Sequence, residues 1–379
     1  MTRRASGLRW RQVAAWRASR HHLARRVPRR RMLDVVSDLC GLHAQVMSSA
    51  ELTLWARVDG LQVGDLANAL WSERSLVKLW AMRGTLHLLS ATEHPFWASA
   101  LRTYAHFRRE SWARHYGVSS STMDRLITTI GEVLHGAELT REELAIAVRR
   151  RTRSKRYDAA LLHSWGGLLK PASYEGMLCF APSDGQRVRF TNPHSWLGIQ
   201  TDGPEPEEAR RHVVRRFLAG YGPASTDEVA RWWGALSPAQ TEAVIRSLGD
   251  EVVMLDVEGT HAWVLAEDEK AVASAEPTRT VRLLPGFDQY VIGSTKHSDR
   301  LMPGGFRDRV HRQAGWVSPV LAVDGRIEGV WKHATTARRV AVVVEPFARQ
   351  PAWVRKGAEA EAARLAAFLG RPLSFDWQA

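Results

Sequence analysis

One layout recurs three times along this 379-residue chain: short helices opened by capping signals, then two strand-like runs joined at a tight turn. In the first stretch, helical residues 8–26 and 32–42 precede a helix near 64–73, and runs at 78–82 and 85–89 meet at Arg83-Gly84. In the second, 119–135 is helical, Thr140-Arg141-Glu142-Glu143 reads as a capping box, and 158–169 is a third helix. Runs at 177–181 and 187–190 then turn at Ser183-Asp184-Gly185. In the third, 205–219 is helical, Ser225-Thr226-Asp227-Glu228 is another capping box, and Ser237-Pro238-Ala239-Gln240 opens a helix with proline in its first turn. Runs at 252–257 and 261–265 pair across Glu258-Gly259-Thr260. Three helices closed by a β-hairpin is the order of a winged helix-turn-helix, which lays a helix and a wing against duplex DNA. Short capped helices and tight hairpins are each common alone, so the plain alternative is an α+β protein with no such repeat. The threefold recurrence favours the tandem array.

Beyond Pro277 the texture changes. Runs at 281–285, 290–293, 317–323, 326–332 and 339–345 alternate apolar residues with turn signals such as Asp324-Gly325, which reads as a small antiparallel sheet or barrel. An amphipathic helix over 352–369 is expected to pack on it. The expected fold is therefore α+β, three tandem winged helix-turn-helix motifs scaffolded by a C-terminal antiparallel β domain. The expected boundaries are 1–115, 116–203, 204–275 and 276–379. The basic, glycine-ended stretch from Lys296 to Gly305 could reach a ligand or be an ordinary surface loop.

Charge points to the partner. A formal charge of +13 and a pI near 10.4 exceed what solubility needs, so a polyanion is expected, nucleic acid before anionic membrane. Residues 1–33 hold eleven arginines and no acid, and a second cluster runs Arg149, Arg150, Arg151, Arg153, Lys155, Arg156. Both are expected to contact phosphate, with plain solvation as the alternative. No apolar run approaches the roughly 20 residues of a membrane-spanning helix, and the basic N-terminus lacks the apolar segment and cleavage site of a signal peptide. A cytoplasmic, nucleoid-associated protein is expected. Cys40 and Cys179 alone make neither a disulfide framework nor a cysteine metal site. No zinc-protease histidine pair, phosphate-binding glycine loop or Gly-x-Ser-x-Gly occurs, so ATPase, dehydrogenase and serine-hydrolase readings lack support. His21-His22 on an arginine-rich helix reads as surface, and Trp232-Trp233-Gly234 as packing rather than base stacking.

Within Gly41-Leu42-His43-Ala44-Gln45, a histidine and an amide interrupt apolar neighbours where a helix or its exit should face a core. Such placement is costly unless both side chains find partners or perform work. Histidine can accept a proton from water near neutral pH, and glutamine can hold that water or hydrogen-bond a sugar or base without adding charge. A base alkylated on a ring nitrogen is cationic and already a good leaving group. Positioning water and stabilising an oxocarbenium-like state would then be the main tasks. Spacing alone leaves a purely structural tie between helix end and backbone as the commoner reading.

Several strings, taken together and in order, resemble a known family. His43-Ala44-Gln45, Leu54-Trp55-Ala56-Arg57 and the run Leu79-Trp80-Ala81-Met82-Arg83-Gly84-Thr85-Leu86-His87 resemble the N-terminal hallmark of the AlkZ/YcaQ-like winged-helix DNA glycosylases. Tyr221-Gly222-Pro223-Ala224 with Trp232-Trp233-Gly234, Leu283 through Tyr290, and Val323-Asp324-Gly325-Arg326 with Gly329-Val330-Trp331 resemble its later hallmarks. The resemblance spans nearly the whole chain. It implies a DNA-sized channel and monofunctional hydrolysis of N-alkylated purine nucleotides in double-stranded DNA, with no metal or organic cofactor. It places the catalytic pair, Gln-x-Gln or Gln-x-Asp in the family, on His43 and Gln45. The histidine variant is similar to members that protect producers of guanine-alkylating, intercalating antibiotics of the trioxacarcin kind, which implies a bulky N7-alkylguanine substrate. On this reading Gln45 positions water, His43 orients or partly deprotonates it, and Arg57, Arg83 and Lys296 are candidate DNA contacts. One channel in one chain needs no dimer, so a monomer is expected. A non-catalytic winged-helix regulator or adduct-shielding protein is the alternative, and DNA packaging a third reading.

Overall fold

The structure, a computed structural model, describes residues 7–163, 166–198, 203–295 and 299–378. These form two compact units, each assembled from distant parts of the chain. One gathers residues 1–66, 214–231 and 241–379; the other holds 67–213 and 232–240.

The first unit is built on a five-stranded sheet in the order Val281–Leu284, Val320–Val323, Arg326–Thr335, Val340–Pro346, Leu373–Trp377. Its central strands follow the alternation expected of a sheet with one buried face: Val340, Val342 and Val344 are fully buried, while Ala341 and Val343 are only partly covered. The first three pairings are antiparallel, but Val340–Pro346 pairs with Leu373–Trp377 in parallel, so the expectation of a purely antiparallel sheet is corrected. Helix Ala352–Phe368 is the physical reason. It lies between those two strands in the chain and carries it back along the sheet, the connection that parallel neighbours require. It buries Val354, Ala358, Ala362 and Leu365, one stripe at helical spacing.

Helix Trp10–Arg20 belongs to this unit and is held by close approach at Gly325, where a Cβ would lie 2.3 Å from the Ala14 carbonyl oxygen. Tyr290 also donates its hydroxyl proton to the Gly325 carbonyl at 2.5 Å. Those contacts explain the glycine in Asp324-Gly325-Arg326 beyond its turn. The expected strand at 290–293 is instead helix Gln289–Thr295. The β-branched Val291 and Ile292 suggest a strand, but Asp288 accepts a hydrogen bond from the Tyr290 N–H at 2.9 Å and starts a helix there.

The second unit contains a hairpin of Leu76–Trp80 and Leu86–Ser90. It also contains the series Ser120–Leu134, Leu139–Thr140, Arg141–Thr152, Asp158–Leu162, Lys170–Tyr174, Cys179–Asp184 and Arg187–Thr191. The last two strands and Leu139–Thr140 make a sheet with Arg187–Thr191 in the centre. The Thr140 capping box forms as read, its hydroxyl accepting from the Glu143 N–H while the Glu143 carboxylate accepts from the Thr140 N–H. The expected helix 158–169 is divided, with Asp158–Leu162 ending before Lys170–Tyr174 begins.

Candidate functional site

The candidate site lies in the first unit, at the exit of helix Met32–Asp38. The helix expected over 32–42 stops earlier. Cys40 (φ 58°) and Gly41 (φ 91°) are left-handed, the Cys40 N–H donates to Ser37 O at 3.0 Å, and the Gly41 N–H donates to Val36 O at 2.9 Å. That pair of bonds is the Schellman termination. The chain leaves it extended, as the two-residue strand Leu42–His43, and re-enters a helix at Met47–Trp55. In extended backbone alternate residues share a face. Leu42 and Ala44 are fully buried, whereas His43 is 7% exposed and Gln45 is exposed. His43 thus keeps only a sliver of exposed surface, while Gln45, two residues on and past the end of the strand, stands in solvent.

Two hydrogen bonds fix the backbone just before the pair. Gln289 donates from Nε2 to the Gly41 carbonyl at 2.8 Å, and Tyr221 donates its hydroxyl proton to the Leu39 carbonyl at 3.2 Å. Both acceptors are carbonyls freed where the helix ends, so the two side chains satisfy groups that would otherwise be buried without partners. Phe287 completes the support. Its ring stacks on the His43 imidazole with centroids 5.1 Å apart and planes 9° from parallel. Its φ of 60° is left-handed, which costs a non-glycine residue about 1–2 kcal/mol.

Asp288 and Arg57 are both fully buried and form a bidentate pair at 2.7 and 2.8 Å; Arg57 also donates to Thr53 O at 2.9 Å. The expectation of a DNA contact at Arg57 is thus corrected: its guanidinium faces a carboxylate in the interior, where phosphate cannot reach. Arg83, in the second unit, sits in left-handed backbone between the hairpin strands and is half-buried. Its guanidinium donates to the Trp232 carbonyl, and a Cβ at Gly234 would lie 2.9 Å from Arg83 Cγ. Trp232 and Trp233 are buried, in keeping with packing. Lys296 lies outside the described residues.

The N-terminal arginines divide in the same way. Arg17 is buried and donates to the Pro223 carbonyl at 2.6 Å, Arg26 pairs with Glu361 and Arg29 with Asp65, while Arg9, Arg25 and Arg30 are exposed. The expectation that this run as a whole contacts phosphate is therefore too broad. His21 is likewise corrected from surface to core. It is fully buried with the edges of Tyr221 and Tyr290 around it, and burial, reinforced by the charges of Arg57 and Arg17, holds its pKa well below the usual range. Phe287, Asp288, Gln289 and Trp316 join the site without a local sequence signal that assigns them to it. The first three lie inside a quoted hallmark, Leu283 through Tyr290, but nothing local says which distant helix they support.

Among the described residues no group of three or more histidine, cysteine or carboxylate side chains is placed to hold a metal ion. None of their helices is long and apolar enough to cross a membrane. The fold, with a nearly buried histidine and an exposed amide at a reinforced helix exit, is that of a DNA glycosylase: residues 36–368 match the family described as DNA glycosylase AlkZ-like, and the chain belongs to that family. It is 37% identical over 360 residues to the interstrand DNA cross-link repair glycosylase of Streptomyces sahachiroi, covering 94% of this chain and 95% of that protein. The solved structure of the S. sahachiroi DNA glycosylase AlkZ superposes with a TM-score of 0.87 at 36% identity, over 99% of this chain and all of that one.

Proposed function

We propose that the protein hydrolyses the N-glycosidic bond of N7-alkylguanine nucleotides in duplex DNA, releasing the base and leaving an abasic site, with bulky genotoxin adducts as the preferred substrates. The observation that carries this reading is the placement of His43 and Gln45 two residues apart at a helix exit whose backbone and ring plane are held by Gln289, Tyr221 and Phe287. Alkylation at N7 leaves the guanine cationic. When the C1′–N9 bond breaks, its electron pair passes to N9 and neutralises the ring, so departure needs no strong acid. The sugar develops oxocarbenium character, and water attacks C1′. The exposed Gln45 amide holds that water, its carbonyl oxygen accepting a hydrogen bond from it. His43 orients the water and takes up the proton as the C–O bond forms. Rigid support suits this role, because a displacement of about 1 Å in a positioned group can cost 10²-fold in rate.

Three tandem winged helices are the architecture we assign to the scaffold. In the second unit, helix Ser120–Leu134, strand Leu139–Thr140, helix Arg141–Thr152, the following helices and the closing hairpin run in winged-helix order. Exposed Arg150, Arg153 and Lys155 at the end of helix Arg141–Thr152 supply positive charge suited to phosphate. The S. sahachiroi relative is an interstrand DNA cross-link repair glycosylase, which extends the proposal to guanines tethered to the opposite strand. Incubation with a duplex carrying one N7-alkylguanine, followed by hot alkali, tests the function directly. Strand scission at the lesion together with free alkylguanine is the expected result; an intact strand refutes it. Retention of the lesion duplex without release would instead identify an adduct-shielding protein.

A further inference from the structure

Trp316 is the one aromatic residue among the large hydrophobic side chains left exposed in the described residues, at 54%. It lies on a small hairpin. His311 and Val317 bridge in antiparallel fashion, the Ser318 N–H donates to Val310 O at 2.9 Å, and the Arg312 N–H donates to Trp316 O at 2.8 Å. At the tip, Ala314 (φ 56°) and Gly315 (φ 75°) are both left-handed, as tight reversals between twisted strands require. Buried Val310 and Val317 anchor its base, whereas Arg312 through Trp316 are all exposed. The tip is therefore pinned by backbone hydrogen bonds while its side chains stand in solvent.

This tip continues the candidate site. The Trp316 ring meets Phe287 edge-on at 4.9 Å, and Phe287 stacks on His43. Three rings thus run from solvent to the histidine, each in contact with the next. The hairpin itself carries positive charge: no acid occurs in the chain between Asp308 and Asp324, and Arg312 is exposed one cross-strand position from Trp316. An open indole beside an exposed arginine suits a planar aromatic face carried on a phosphate backbone, since stacking and phosphate attraction then act together. A protein partner would not account for the run of rings leading to His43.

We propose that Trp316 is a substrate-engaging residue that stacks on an aromatic face in the lesion duplex, and that the His311–Val317 hairpin is the rigid mount that presents it. This inference rests on the DNA-lesion function proposed above and deepens it by naming a determinant of substrate recognition. Two sources can supply the face: a nucleobase beside the lesion, or the fused rings of a bulky adduct.

The test measures binding and release separately for the full-length protein, Trp316→Ala and Trp316→Phe. The probes are fluorescein-labelled duplexes carrying no lesion, one N7-methylguanine, or one N7-guanine adduct bearing a fused aromatic system. Equilibrium anisotropy gives affinity, and single-turnover base release gives rate. Trp316→Ala is expected to weaken lesion-duplex binding about tenfold or more, with Trp316→Phe recovering most of it. Weakening on both lesions identifies a nucleobase as the stacking partner; weakening confined to the bulky adduct identifies the adduct. Equal affinity of Trp316→Ala and the parent for both lesions, at matched thermal stability, overturns the proposal, as does failure of the parent to bind any of the duplexes. If the parent binds but releases no base, the glycosidic function fails while the anisotropy arm still judges Trp316.

Discussion

Replacing Asp288 by Asn isolates the interaction that most directly supports the candidate site. The substitution keeps the side chain's shape but removes the charge, leaving Arg57 as a fully buried cation with an amide in place of a carboxylate. Breaking one side of such a buried pair costs about 3–5 kcal/mol, because the remaining charge can neither reach water nor find another counterion. Asp288 joins Arg57 to the start of helix Gln289–Thr295, so the loss falls on the first unit. For a unit of roughly 220 residues, a loss of that size lowers its melting transition by about 6–20 °C. Differential scanning calorimetry reads this directly. Base release at a temperature where the variant remains folded should also slow, because the residues flanking Asp288 carry the ring under His43 and the amide on Gly41. The double variant Arg57→Met with Asp288→Leu should recover much of the lost stability, since an apolar pair of similar volume does not strand a charge. A melting temperature for Asp288→Asn within about 2 °C of the parent would refute the reasoning.

Gln45→Ala should slow base release about a hundredfold or more while changing lesion-duplex affinity little; full rate would remove the amide from the chemistry. His43→Gln restores the commoner family residue but removes the stack on Phe287, an interaction worth about 0.5–1.5 kcal/mol. It should slow release of a bulky adduct more than release of 7-methylguanine, and equal slowing of the two would dissociate His43 from substrate preference. His94 is fully buried, with its pKa pushed down to about 4 by desolvation and, secondarily, by the charge of Arg102. Its folded pKa lies below the usual value near 6.5, so the unfolded chain binds more protons between these limits and stability falls as pH drops from about 6.5 to 4. At 1.36 kcal/mol per unit this amounts to about 3 kcal/mol. His94→Leu should flatten this part of the pH–melting curve, and an unchanged slope would show that another group controls it.

The helices with local signals were legible because their ends are decided locally. Thr140 and Glu143, and Ser225 and Glu228, satisfy one another's backbone partners within four residues of chain, and both boxes form. The hairpin turns at Asp184-Gly185 and Glu258-Gly259 were legible for a similar reason, with left-handed Gly185, Glu258 and Gly259. Where a local preference competes with a tertiary contact, the tertiary contact decides the element. Val291 and Ile292 belong by composition in a strand, but Asp288, fixed by the distant Arg57, opens a helix with its carboxylate. The strand Leu373–Trp377 was not anticipated, because its place beside Val340–Pro346 depends on the path of a whole helix.

Charge shows the same division. Composition alone determined an excess of positive charge and therefore an anionic partner, because net charge is a sum over residues and does not depend on their arrangement. Which cations remain available depends entirely on arrangement. Arg17, Arg26 and Arg57 are drawn inward by Glu228, Glu361 and Asp288, up to 335 residues away in the chain, while Arg30, Arg150 and Lys155 stay in solvent. The hallmark strings determined the family, and the period-two alternation of Leu42, His43, Ala44 and Gln45 was already present in the sequence. Only the tertiary structure decided that Phe287 lies against His43, that Gln289 holds Gly41, and that Trp316 extends the row of rings into solvent. The first two of those contacts join segments more than 240 residues apart, and a linear pattern carries no record of which distant surfaces close upon each other to bury their apolar area.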